Sequence, residues 1–197
     1  FGLGKHNINV SVASEPDSEE LFDPDRVDLI VESNTLLRFS VINISPSFIR
    51  YTISDTGIIS NHEHIQTMAK FLSYDLPTDY AKAYQLYTYL MENINIVNDV
   101  TNSDPYQVYL NLEGNPKGVT YYYASLLRNI GIPARVYRGI RGYTLHYWTE
   151  IYLNGSWSVV DPAGGISVSP TGDSNNFFLI RPENYRIQFE QIEEMTK

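Results

Sequence analysis

The pair Asn154–Gly155 constrains this chain more than any other feature. It separates two runs rich in β-branched and aromatic residues, Tyr147 to Leu153 and Ser156 to Val160. Asn-Gly in that setting signals a two-residue type I′ hairpin, because both central residues must take positive φ. Such a turn sets the register. Leu153 pairs with Ser156, Tyr152 with Trp157, Glu150 with Val159 and Trp148 with Asp161. Directly opposed residues share a face and side chains alternate along a strand. His146, Trp148 and Asp161 therefore lie on one face, with His146 diagonal to Asp161. Diagonal partners sit about 7–8 Å apart, within reach of an imidazole–carboxylate hydrogen bond. Glu150 shares the face at the far end from His146, too distant to join the pair around one ion.

A helix precedes the hairpin. Val119, Tyr122, Tyr123, Leu126, Leu127 and Ile130 form an apolar stripe at helical spacing, with Tyr121 to Tyr123 as packing rings, one of them at the solvent edge. Gly131 stands where a left-handed cap ends a helix, and Pro133 stops its continuation. At the other end, Pro116 suits the first helical turn, where its missing N–H has no partner to lose.

The ordered motifs Gly114–Asn115–Pro116–Lys117–Gly118, Gly131–Ile132–Pro133–Ala134–Arg135, His146–Tyr147–Trp148 and Val160–Asp161–Pro162 resemble the core of the transglutaminase-like superfamily, a branch of the papain-like cysteine enzymes. The resemblance covers roughly residues 51 to 180. It implies an α+β fold, with helices over 62–73, 79–95 and 116–130 packed on an antiparallel sheet that includes 134–140, 143–153 and 156–161. In that family a Cys opens the central helix, and His and Asp follow on neighbouring strands. This chain has no cysteine at all. Counting back fifteen residues from Gly131 puts Pro116 at the nucleophile position. An alternative alignment puts Thr120 there, at the expense of four residues of helix, about one turn.

The remainder of the chain reads more simply. Residues 1–55 form an N-terminal extension with short strands, with β-rich runs at Ile8 to Val12, Val27 to Val31, Leu36 to Ile44 and Phe48 to Ile53. Residues 56–197 form the core domain. The seven acids between Glu15 and Asp28 lack EF-hand spacing and the required Gly, so they read as a solvated loop. Asn61 is placed to cap the helix over 62–73, and Thr78 the one over 79–95. Asp104–Pro105 starts a short helix ended by Gly114. His62 and His64, two apart on a helix, are expected to point in different directions and to hold no metal. The longest apolar runs are only a few residues, too short to span a membrane. The chain opens on Phe1 rather than Met, which reads as a trimmed or processed piece.

The net charge of −9 leaves no basic stripe for phosphates, which argues against nucleic acid. Without a thiol, the resemblance implies a transglutaminase-like domain that has lost catalysis and binds a polypeptide, glycan or cell-surface polymer, or is structural. Such a module needs no cofactor. His146 and Asp161 are then a vestigial dyad, and Trp148 and Trp157 an aromatic wall of the old groove. The competing expectation is a hydrolase of peptide or amide bonds in which His146 activates Thr120. A third is an acid–base or metal enzyme using His146, Asp161 and Glu150. The absent Cys and the sixteen Tyr favour an extracytoplasmic setting.

Overall fold

The structure is a computed structural model, and it describes residues 4–9, 38–43, 50–98, 103–168 and 173–196. The chain divides into two compact units, Phe1–Ile44 and Ser45–Lys197. In the first unit, β1 (Gly4–Asn9) pairs antiparallel with β2 (Arg38–Asn43). Most of the expected strand at Ile8 to Val12, the run at Val27 to Val31 and the acidic segment lie outside the described residues.

The second unit is α+β. Its helices are α1 (Glu63–Leu72), α2 (Asp79–Asn93), α3 (Pro105–Asn111), α4 (Pro116–Asn129), α5 (Pro162–Val168) and α6 (Pro182–Arg186). Its main sheet joins β5 (Ala134–Arg141), β6 (Thr144–Leu153), β7 (Ser156–Val160), β8 (Phe178–Ile180) and β9 (Glu190–Glu194) in the order β8-β7-β6-β5-β9. Neighbours in that sheet run antiparallel. A separate parallel pair, β3 (Asn95–Ile96) and β4 (Glu113–Gly114), brackets α3.

The hairpin forms as its turn chemistry requires. Asn154 and Gly155 take φ of 51° and 88°, and Leu153 faces Ser156, Tyr152 faces Trp157 and Glu150 faces Val159. Positive φ at both positions matches the right-handed twist of the flanking strands.

Helix α4 is the centre of the fold. Every residue from Gly118 to Arg128 is buried, so the helix is enclosed on all sides rather than on one stripe. The sheet face of Ala134, Val136, Ile151, Leu153 and Val160 belongs to the same core cluster as α4, together with residues of α1, α2 and α3. None of Tyr121, Tyr122 and Tyr123 is a solvent-edge ring, contrary to expectation; all three are at most 3% exposed. One reason is local. The Tyr121 ring lies against Gly57, where a Cβ would fall 2.5 Å from its edge.

Three other expectations change. Helix α1 is capped by His62 without a side-chain bond, because Asn61 Oδ1 accepts instead from the Ser54 hydroxyl. Leu112, not Gly114, takes the left-handed position (φ 55°) that ends α3. Residues 50–53 are turn rather than strand. They belong with the second unit: Ala134 N–H donates to the Tyr51 carbonyl at 2.9 Å and Arg128 Nη1 to the Ile53 carbonyl at 2.5 Å. The second compact unit accordingly begins at Ser45. Thr78 caps α2 through Ala81 N–H, and Asp104 caps α3.

The core is rich in phenols that have left water. Burial pushes Tyr121 and Tyr137 each up to about 12, and raises Tyr87, Tyr122 and Tyr123 as well. A phenol with a native pKa above its unfolded value holds its proton more tightly when folded. Its stabilisation is therefore whole below about pH 10 and is lost as pH climbs past that value. An alkaline titration followed by phenolate absorbance should show the exposed tyrosines ionising first and the buried ones only together with unfolding. A single smooth transition with the fold intact would contradict this packing.

Candidate functional site

The site is assembled where two strands end. His146 stands on β6 opposite Gly139. Asp161 directly follows β7 and precedes Pro162, the first residue of α5. An Asp before a helix-starting Pro is well placed to cap that helix, and its Oδ1 accepts from Gly164 N–H at 2.8 Å. Its Oδ2 is then free for the sheet side. His146 Nε2 lies 2.7 Å from Oδ2, the diagonal contact that the hairpin register implies.

A third group completes this arrangement. The Tyr185 hydroxyl, from α6, donates to the same Oδ2 at 2.5 Å and stands 3.2 Å from His146 Nε2. The Asp161 side chain is 1% exposed and that of His146 is 16% exposed. Burial, then the Asp161 charge, holds the Tyr185 phenol well above its ordinary value. Gly164 fits tightly: a Cβ there would meet Oδ2 at 2.3 Å. Phe189 stacks on the imidazole, with ring centres 5.5 Å apart and planes 11° apart.

An ionised carboxylate accepts only, so Asp161 places the imidazole proton on Nε2 and leaves Nδ1 of the neutral ring with its lone pair. A carboxylate readies a histidine as a base in nucleophilic triads by the same division of roles, there with Nδ1 rather than Nε2 as the nitrogen held. Pro116 is the first residue of α4, where Asn115 caps the helix by accepting from Gly118 N–H at 2.8 Å. Thr120 is wholly buried, and its hydroxyl donates to the Pro116 carbonyl at 2.8 Å. That is a back-bond within the helix, and among the described residues no hydrogen bond joins Thr120 to His146.

The aromatic wall expected from Trp148 and Trp157 is not present. Trp148 is 0% exposed and packs with Tyr137, Val159, Tyr185 and Phe189 on the sheet face away from α4. Trp157 faces Tyr152 at the turn end of the hairpin, far from His146 along the strand, with Arg135 4.0 Å over its ring. Glu150 is likewise wholly buried, held by Arg135 at 2.8 Å and Arg186 at 2.6 Å. With both oxygens engaged by guanidinium groups it is unsuited to a metal. Among the described residues no three His, Asp or Glu side chains converge so as to hold an ion.

Sequence reasoning missed Tyr185, Arg186 and Phe189. They lie on a five-residue helix and the turn after it, too short for a periodic signal. Pro182 at the helix start and the four-residue spacing of Tyr185 and Phe189 were the available cues.

Three comparisons bear on ancestry. Residues 66–162 match the model of the Transglutaminase-like superfamily. No curated protein sequence matches this chain. Among solved structures, a protein assigned as a cysteine protease from Cytophaga hutchinsonii superposes with a TM-score of 0.55 at 19% identity, over 61% of this chain and 43% of that one. The periplasmic domain of TgpA from Pseudomonas aeruginosa superposes with a TM-score of 0.51 at 19% identity, over 67% of this chain and 54% of that one. The matches thus span about half the length of these solved relatives, and at such identity they speak for the fold.

The link between Tyr185 and Asp161 is directly testable. A hydrogen bond to a buried charged group contributes about 1.5–3 kcal/mol. Tyr185→Phe should therefore lower unfolding free energy by an amount in that range in a denaturant titration. A change below about 0.5 kcal/mol, the usual scale for a neutral surface substitution, would mean the carboxylate is satisfied without the phenol.

Proposed function

The chain carries a transglutaminase-like domain with no cysteine, and from that premise we propose that it is a non-catalytic member: a binding or structural module for a polypeptide or cell-surface polymer. The observation that carries this reading is a mismatch within one site. The histidine and the carboxylate are joined at 2.7 Å, while the helix start that should supply the nucleophile has Pro116 at its first position. A base without a nucleophile does not form a covalent acyl intermediate. The hydrolase reading through Thr120 is disfavoured, because its hydroxyl is buried and bonded to main chain within its own helix. We also place the domain outside the cytoplasm, supported by the periplasmic setting named for one structural neighbour and by the absence of thiols.

Wild-type protein should show neither peptide hydrolysis nor amide transfer. The informative variant is Pro116→Cys. If residue 116 occupies the old nucleophile position, the new thiol should be alkylated faster at neutral pH than the same residue placed at exposed Asn93. That advantage should disappear when His146→Ala is added, since a neighbouring imidazolium lowers a thiol's pKa from about 8.5. Equal rates at positions 116 and 93 would mean that the nucleophile stood elsewhere. Hydrolysis by the wild type that Thr120→Val abolishes would revive the rejected alternative.

A further inference from the structure

The sequence expectation for His62 and His64 rests on both residues being helical. They are not. His62 is the residue before α1, with extended backbone (φ −83°, ψ 121°), and only His64 lies inside the helix. With His62 outside the helix, the two rings are near neighbours. The two imidazole centres lie 5.5 Å apart, with planes 56° apart. A transition ion bound at 2.0–2.1 Å by one nitrogen of each ring, at a tetrahedral angle, requires ring centres about 5 Å apart.

Two further observations concern the ring nitrogens. His62 Nδ1 is buried and has no hydrogen-bond partner. A buried polar atom left unpaired is costly, and an ion or water is a recognised reason for one. His64 Nδ1 is 3.1 Å from the Tyr106 hydroxyl on α3. When Nδ1 donates to that hydroxyl, Nε2 of the same ring carries the lone pair that a metal needs, and the contact holds the ring in orientation. This is how ligating histidines are ordinarily supported from behind. Tyr106 also packs on His62 at 4.1 Å between ring centres and lies nearly parallel to His64, so one phenol holds both imidazoles.

We infer that His62 and His64 form a two-histidine site for a divalent transition metal ion, with Tyr106 as the positioning residue. Imidazole selects zinc, nickel or copper, whereas calcium and magnesium require oxygen ligands. Among the described residues no third His, Asp or Glu converges with the pair, so water fills the remaining positions. The site lies at the start of α1 and on α3 and is independent of His146 and Asp161.

The test uses the full chain, freed of metal by chelation and titrated with zinc chloride in a calorimeter. Saturation at one ion per chain is expected. His64→Ala, on an exposed side chain, should weaken binding at least tenfold, and Tyr106→Phe by about 10–100-fold as for other residues that orient a ligand. His6→Ala should leave binding unchanged, and calcium chloride should not compete. Circular dichroism of His64→Ala, with His64→Gln as a second variant, separates loss of the site from loss of the fold. Absence of saturable zinc binding would overturn the proposal. So would binding that survives in folded His64 variants, follows His6, or yields to calcium.

Discussion

A carboxylate removed from water must be met by donors, and the way Asp161 meets that demand organises the second unit. Its three partners come from three places: the first turn of α5, the strand β6 and the short helix α6. None is adjacent to it along its own strand. The hydrogen bonds therefore tie β6, the first turn of α5 and α6 to the residue that ends β7. Charge-assisted bonds of this kind are among the stronger ones in proteins, and an unpaired charge at the same depth is severely penalised. A carboxylate met in this way is held in place by the surrounding architecture, whatever its chemistry.

Glu150 repeats the pattern with a different chemistry. Asp161 is satisfied by an imidazole, a phenol and an amide. Glu150, equally buried, is clasped by guanidinium groups from β5 and α6. Both carboxylates reach across to α6, so the five-residue helix and Phe189 after it are positioned by polar anchors. The apolar cluster of Tyr137, Trp148, Val159, Tyr185 and Phe189 fills the space between those anchors. The sheet consequently has two unlike faces, one against a long central helix and the other beneath a short polar-anchored cover.

Much of this was legible in the amino-acid sequence, for definite reasons. Asn154–Gly155 admits few backbone geometries, and from it the strand pairing and the His146–Asp161 contact follow. The cap residues Thr78 and Asp104 and the stop at Gly131 act through local physics and were readable for the same cause. The failures were tertiary. Trp148 shares a face with His146, as the alternation requires, but whether that face meets solvent depended on a cover some forty residues downstream. The buried tyrosines of α4 were misjudged because one-sided periodicity cannot reveal a helix enclosed from every direction. His62 was misread because the backbone enters the helix one residue later than the cap pattern at Asn61 suggested.

Pro116 has one more consequence, in the genetics of the chain. Proline at the first helical position has its φ already set and gives up no hydrogen bond, so the helix does not select against it. No single-nucleotide change turns a proline codon into a cysteine codon; the shortest routes pass through serine or arginine. On the alignment that puts the nucleophile at residue 116, either intermediate would lack the thiol and also forgo a residue that the helix start accommodates without strain. On the same alignment a return to cysteine would have to cross a stage with nothing for selection to favour. On that alignment Pro116 works as a ratchet, free to acquire and difficult to leave.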